Sequence, residues 1–434
     1  MKGKRFWIAL FVFSLIGQIA WVVENMYFNV FIYHMFHATP AEIALMVQAS
    51  AVAATVTTLL IGALSDRLGR RKAFITVGYI LWGVSILCFA ALRVDWIASL
   101  FPAAAESAAK AASIGVTLVI VFDCVMTFFG STANDACFNA WLTDSTDETN
   151  RGKAEGVNAM MPLVAILVVF GGTMWAKKDS AAHWTILFLI IGGIVLVAGI
   201  AGFFLIDEPK PVEKPENGYF KTLFYGFRPR VIGENPALYL TLLGFTVFGI
   251  SIQVFMPYLI LYYTEALHLD NYVLIMAPAI VLAAAATAFY GRLYDRIGYF
   301  RSLVPALLVL LLGYAILYLF RSTALVFLGS LLMMCGYLCG MAVFGARIRD
   351  CTPQGMAGRF QGLRIIGQVL IPGVVGPAIS ARVLKGAETI LNDDGTTSFI
   401  PNANVFLAAG IVLLPIAAVF LIEWLCGKKP NKAA

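Results

Sequence analysis

Apolar runs of roughly 20 residues recur from one end of the chain to the other, and each is long enough, at 1.5 Å per residue, to cross a hydrocarbon layer about 30 Å thick. The runs predict twelve helices, over residues 6–32, 42–63, 72–92, 114–139, 156–176, 183–205, 235–263, 271–291, 301–320, 322–345, 362–383 and 404–426. With 60% of the 434 residues hydrophobic and 13% charged, the chain lacks the polar surface that soluble domains of its mass need. A barrel is also disfavoured, because its wall faces lipid at every second residue and gives short alternating segments rather than continuous apolar runs.

Orientation follows from Lys and Arg. With both termini in the cytoplasm, only Arg93, Lys110, Lys177, Lys178, Arg321, Arg382 and Lys385 of the 31 basic residues fall on the outer side. That asymmetry is the positive-inside pattern of an even helix count and predicts a multi-pass protein of the cell (inner) membrane. The net charge of +6 is thereby accounted for by short loop clusters facing an anionic leaflet, with no nucleic acid as partner. Lys2, Lys4 and Arg5 before an apolar run mimic a signal peptide, but no small-residue cleavage site follows, so the segment reads as the first helix. The seven cysteines fall in helices or on the inner side and imply no disulfide framework; Cys335 and Cys339, one turn apart, read as packing residues.

The longest inner segment, residues 206–234, is rich in Pro, Glu and Lys and reads as a cytoplasmic linker. It separates a six-helix bundle over 1–205 from a second over 235–427, with a basic cytoplasmic tail at 428–434. Two sequence echoes relate the halves. Gly62, Asp66, Arg67 and Gly69, followed by Arg70 and Arg71, recur 229 positions later as Gly291, Asp295, Arg296 and Gly298, where Tyr299 and Phe300 replace the basic pair. Asp144, Thr146, Gly152, Lys153 and Gly156 recur 206 positions later as Asp350, Thr352, Gly358, Arg359 and Gly362. Paired echoes at corresponding places are the mark of duplicated halves.

The stretch GALSDRLGRRK, with Gly62, Asp66, Arg67, Gly69, Arg70 and Arg71, resembles the cytoplasmic signature of the major facilitator superfamily. The resemblance implies an all-α membrane fold of two pseudo-symmetric six-helix bundles, with the motif acting as a charged gate at the inner face. ANDACFNAWLTD and the intramembrane acids make the chain similar, within that superfamily, to the cation-coupled glycoside symporters related to melibiose permease and to plant sucrose–proton carriers.

An acid at mid-membrane costs roughly 2.5–3.5 kcal/mol on insertion scales, so each needs a reason. Two are expected to lie deep: Glu24 on the first helix and Asp123 on the fourth, at similar depth if those helices are antiparallel. The resemblance places the first, fourth, seventh and tenth helices around a central cavity, and Asp123 matches in placement the helix-four acid of the glycoside symporters. With no Lys or Arg expected at that depth, the pair is suited to holding and releasing a proton. The sodium-using members of that group carry further acids on the second helix, where this chain has Gln48, Ser50 and threonines.

Around the acids stands a neutral polar set. Gln18, Asn25 and Asn29 fall on one face of an α-helix; Thr127 and Asn134 accompany Asp123; and Gln253 follows Glu24 by the same 229 positions as the gate motif. Amides offer both donors and acceptors, as a sugar requires, and Trp21 can stack on a sugar face. The same amides equally serve to bind helix to helix. Arg364, just inside the eleventh helix, is expected to snorkel to the inner surface, and His34, His37, His183 and His268 receive no role.

The expected function is import of a small polar solute, a sugar or glycoside, in symport with protons by alternating access. Export of sugars or drugs against protons, and sodium-coupled symport, remain alternatives. No metal-ligand spacing, nucleophile elbow or phosphate-binding loop argues for an enzyme or a nucleotide-driven pump, and no cofactor is implied. The expected partners are the solute and the bilayer, and a monomer suffices for function on this reading.

Overall fold

The computed structural model describes residues 3–102, 106–147, 150–208, 224–353, 360–392 and 394–427; the side chains of Asp66 and of residues 424–427 lie outside that set, as do Gly358, Arg359 and the tail at 428–434. Among the described residues, twelve helices are long and apolar enough to cross a membrane: Lys4–Phe36, Pro40–Ser65, Arg71–Phe89, Ala108–Asp144, Arg151–Thr173, Ala181–Leu205, Pro236–Ala266, Val273–Ile297, Tyr299–Leu319, Thr323–Cys351, Gln361–Val383 and Asn404–Glu423. They are numbered here as spans one to twelve. Their outward surfaces carry large apolar side chains such as Phe204, Leu308, Phe289 and Leu414, the inverse of a water-soluble surface.

The ends of several spans differ from the sequence expectation in one direction. The fourth runs on to Asp144, the eighth to Ile297 and the tenth to Cys351, so motif residues assigned to loops lie on helices. Charged side chains can reach polar surroundings while the backbone keeps its internal hydrogen bonds. Local sequence sets the starts and stops. Thr39 accepts from the Glu42 amide while Glu42 reaches back to Thr39, with Pro40 in the first turn, which launches the second span. Gly69, at φ 63°, ends that helix in the left-handed conformation.

Contacts divide the chain into two compact units, Met1–Glu216 with Thr389–Phe399, and Asn217–Glu388 with Ile400–Ala434. In the first, the third and sixth spans touch backbone to backbone: a Cβ on Gly83 would lie 2.5 Å from the Leu196 nitrogen. In the second, the ninth and tenth do the same, with Gly313 as close to the Met333 nitrogen at 2.4 Å.

Several short elements were not expected from the sequence. One is a short helix, Val94–Leu100. Another is an antiparallel hairpin, β1 (Thr389–Leu391) on β2 (Thr397–Phe399), which packs within the first unit although it follows the eleventh span. Tyr33 donates to the Phe399 carbonyl at 2.6 Å, and His37 meets Ser398 Oγ at 3.0 Å and Asp394 Oδ2 at 3.4 Å. Of the linker, Tyr225–Phe227 forms a short 3-10 turn and Pro229–Glu234 a short helix, while residues 209–223 lie outside the described set.

Candidate functional site

The first unit gathers the two expected acids around one serine of the second span. Ser50 Oγ donates to Glu24 Oε1 at 2.7 Å, Thr127 Oγ1 donates to the same oxygen at 2.8 Å, and the two hydroxyls lie 2.8 Å apart. Ser50 also faces Asp123, which lies within electrostatic reach of Glu24. Glu24 is 7% exposed and Asp123 2%. Glu24 Oε2 and Asp123 Oδ1 are buried without a hydrogen-bond partner among the described residues. A buried carboxyl oxygen left in that state is strongly disfavoured unless a proton or a ligand satisfies it.

Glu24 owes its position to a π turn, Val23–Tyr27, inside the first span. Such a turn adds a residue to the helical register and often marks a functional segment. It also breaks the single face expected for the amides. Gln18 is half-buried before it, Asn25 is exposed and donates to the carbonyl of Trp21 at 2.8 Å, and Asn29 is buried, with its amide nitrogen on the Asn25 carbonyl and its Oδ1 unpartnered.

Asn134 does not join the acids. Its amide donates to the Tyr79 hydroxyl at 2.7 Å, and Tyr79 donates to the Phe13 carbonyl at 2.8 Å, so Asn134 binds the fourth span to the third and first. Trp21 packs on Trp82 with ring centroids 5.0 Å apart, and its half-buried ring keeps Nε1 unpartnered. Gln253 lies in the second unit, half-buried, against Gly376 of the eleventh span.

Two further acids lie within the spans beside Glu24 and Asp123. A third, Asp135, stands in a second π segment, Ser131–Phe138, of the fourth span, half-buried and accepting from Ser131 Oγ at 3.0 Å. A fourth, Glu423 of the twelfth span, is 2% exposed and paired with Arg347 at 3.0 Å. Ser50 and Asp135 were missed as site residues, although Asp123, Thr127, Ser131 and Asp135 stand four apart in the sequence and this periodicity signals one helical stripe. Arg364 lies half-buried in the first turn of the eleventh span with its Nε unpartnered.

The gate motif meets the second echo within each unit. Arg71 reaches Asp144 Oδ2 at 3.2 Å through Nε and Ser65 Oγ at 2.6 Å through a terminal nitrogen. The Gly62 carbonyl accepts from Ser65, while Arg67 and Arg70 are exposed. In the second unit the Tyr294 hydroxyl donates to Asp350. Asp295 and Arg296 are exposed there, Gly291 is half-buried, and Gly298 at φ 75° joins the eighth and ninth spans. Tyr290, Gly291, Tyr294, Asp295 and Arg349 line a cavity of about 340 Å³ between the eighth and tenth spans. No cluster of three or more His, Cys, Asp or Glu suited to a metal occurs among the described residues.

No curated protein matches the chain. Solved structures do, at low identity. A bacterial homologue of the human lysosomal transporter Spinster, in an inward-facing and occupied conformation, aligns with TM-score 0.73 and 15% identity over 100% of both chains. The nucleoside transporter NupG aligns with TM-score 0.68 and 11% identity over 98% of this chain and 99% of its own. The xylose transporter XylE from E. coli, partially occluded and inward open, aligns with TM-score 0.66 and 13% identity over 98% of this chain and 100% of its own. These likenesses establish the fold. The family model described as Major Facilitator Superfamily matches residues 6–377, and the chain is therefore a transporter of that superfamily.

Proposed function

We propose that the protein imports a small polar solute, of the sugar or glycoside class, in symport with protons by alternating access, with both termini in the cytoplasm. The observation that carries this reading is the Glu24–Asp123 pair: two buried carboxyls sharing Ser50, each with an unsatisfied oxygen, and neither with a basic partner among the described residues. Two carboxyls so placed are most stable with a proton on one of them. Access of the site to water from alternate sides then loads and unloads that proton.

In the first unit the amides of Gln18 and Asn29 and the indole of Trp21 suit a hydroxyl-bearing solute, and Gln253 of the second unit carries the same amide chemistry. The likeness of fold to a xylose transporter and a nucleoside transporter supports that class without selecting within it. The test is uptake of a radiolabelled sugar and nucleoside panel into proteoliposomes under an imposed pH gradient, with a sodium gradient as the second arm. Asp123→Asn is expected to abolish gradient-driven uptake; unchanged uptake by that variant across a pH series sinks proton coupling, and stimulation by sodium alone selects the sodium alternative.

A further inference from the structure

Asp123, Thr127 and Ser131 follow one another at intervals of four along the fourth span and share a face, and Asp135, four further on within the π segment, is held beside Ser131 by their hydrogen bond. The stripe extends about 18 Å, at 1.5 Å per residue. Its first two members stand at the buried pair: Asp123 belongs to it, and Thr127 is fully buried and bonds Glu24. Its last two are bonded to each other, Ser131 Oγ to Asp135 Oδ2 at 3.0 Å. Ser131 is fully buried, whereas Asp135 is half-buried. The stripe thus runs from the closed pair toward the end of the fourth span where Asp144 meets Arg71.

Among the described residues, Glu24 of the first span and Tyr79 of the third are titratable groups within electrostatic reach of Asp135. No ion pair of Asp135 occurs among the described residues, so nothing there fixes it as a counter-charge. The π segment that carries it also holds Thr132 Oγ1 buried without a partner, and Glu24 Oε2 and Asp123 Oδ1 are likewise unpartnered. The interior of this bundle therefore offers carboxyl and hydroxyl oxygens in sequence, with no Lys, Arg or His among the described residues paired to them, which is the composition of a proton path.

Resting on the symport reading above, we propose that Asp135 is the group through which the transported proton leaves the Glu24–Asp123 pair toward the Asp144 end of the first bundle, with Ser131 holding its carboxylate in place. The proton leaves a carboxyl of the pair, is accepted by the Asp135 carboxylate, and passes from there to water; the pair is left with one more negative charge and Asp135 returns to its starting state.

The test uses the full chain in proteoliposomes and the proton itself as probe. A rapid jump from mildly acid to mildly alkaline solution is followed by infrared absorption of protonated carboxyl groups, with bands of the pair identified through Glu24→Gln and Asp123→Asn. In Asp135→Asn the pair should deprotonate at least about tenfold more slowly with its amplitude preserved, and Asp135→Glu should restore the rate. Ser131→Ala should slow it less. An unchanged rate in Asp135→Asn overturns the proposal, and so does loss of the pair's amplitude in both Asp135 variants, which makes Asp135 a prop. If the wild-type chain shows no titrating band from Glu24 or Asp123, the symport reading itself fails, a distinct result.

Discussion

The Tyr294 hydroxyl donates to the carboxylate of Asp350, within the unit whose repeat of the gate motif has lost its arginine pair. Tyr294 stands 229 positions after Ser65, and Asp350 stands 206 after Asp144. In the first unit Arg71 bridges those two positions. Phe300 occupies the place of Arg71 in the second unit, and a longer side chain at the serine position reaches the acid instead. One link between the second and fourth helices of each half is thus kept by two different side-chain solutions.

A double-mutant cycle of Tyr294→Phe and Asp350→Asn should show a coupling of about 0.5–1 kcal/mol in thermal unfolding, modest because Asp350 is exposed. In the first unit Arg71→Lys should fail to substitute, since an ammonium lacks the fork that serves Ser65 and Asp144 together. Zero coupling in the cycle would remove the claim that the tyrosine replaces the arginine.

Ser50 bonds Glu24 and lies beside Asp123, so its loss should be felt in transport more than in folding. Ser50→Ala leaves Glu24 Oε1 with Thr127 alone and removes the hydroxyl beside Asp123. A lost hydrogen bond to a charged or proton-sharing group is worth about 1.5 kcal/mol, or roughly a tenfold fall in gradient-driven uptake, with Ser50→Thr near the wild-type rate. Equal uptake by the alanine and threonine variants would show that the hydroxyl is idle.

Much of this was legible in the sequence because lipid imposes a simple rule. A span must be long, apolar and helical, and all twelve predicted runs overlap an observed one. Glu24 and Asp123 were legible for the same reason, as charges where charge is costly. What sequence periodicity misjudged was the face each polar residue presents. A regular helix puts Asn25 with Asn29, but the π turn at Val23–Tyr27 separates them, and backbone hydrogen bonding of this kind leaves no signature in residue type. Asn134 was drawn away by Tyr79, a partner on another helix that spacing along one helix cannot reveal. The hairpin after the eleventh span was hidden in a polar segment whose anchors, Tyr33 and His37, lie more than 350 residues earlier.

Close helix contact makes a sharp prediction at the glycines. A side chain at Gly83 collides with the backbone at Leu196, and backbone cannot yield as a flexible side chain can. Gly83→Leu and Gly313→Leu should both prevent recovery of monodisperse protein. Gly193→Leu, where an added Cβ meets nothing within 4 Å, should behave as wild type. Intact Gly83→Leu protein on size-exclusion chromatography would show that the third and sixth spans are not locked.

The hairpin carries a pH prediction whose sign can be worked out. Asp394 is held below the usual carboxylate range, first by the Thr396 hydroxyl and then by backbone hydrogen bonds, with His37 nearby. A carboxyl lowered on folding contributes stability that is full above its unfolded value and lost as the pH falls through the lowered one. The exchange protection of β1 and β2, corrected for the intrinsic pH dependence of amide exchange, should therefore be flat from neutral to mildly acid solution and fall only in strong acid. Asp394→Asn should abolish that acid limb, and Tyr33→Phe, which removes the bond to the Phe399 carbonyl, should raise exchange at every pH by about 1 kcal/mol of protection.

Arg347 and Glu423 offer the clearest separation of charge from packing. Glu423 is 2% exposed, and its Oε1 accepts from Arg347 Nε at 3.2 Å, from an Arg347 terminal nitrogen at 3.0 Å and from Thr241 at 3.1 Å. The guanidinium also lies 5.0 Å from the Tyr299 ring centre and 5.7 Å from that of Phe300. Removing one partner leaves the other charge in a site that hydrates it only in part. Glu423→Gln should thus cost about 2 kcal/mol, less than the ~3–5 kcal/mol of a fully buried pair because Arg347 keeps some exposure. Replacing both at once, Arg347→Met with Glu423→Met, discards the desolvation penalty along with the attraction, and should bring unfolding back to within about 1 kcal/mol of the parent. If the double variant transports normally, the pair is a packing element of the seventh, tenth and twelfth spans. If it unfolds like the parent but transports nothing, the charges themselves act in the conformational cycle. A double variant as unstable as the single one would contradict the argument, because packing would then be at fault and not an orphaned charge.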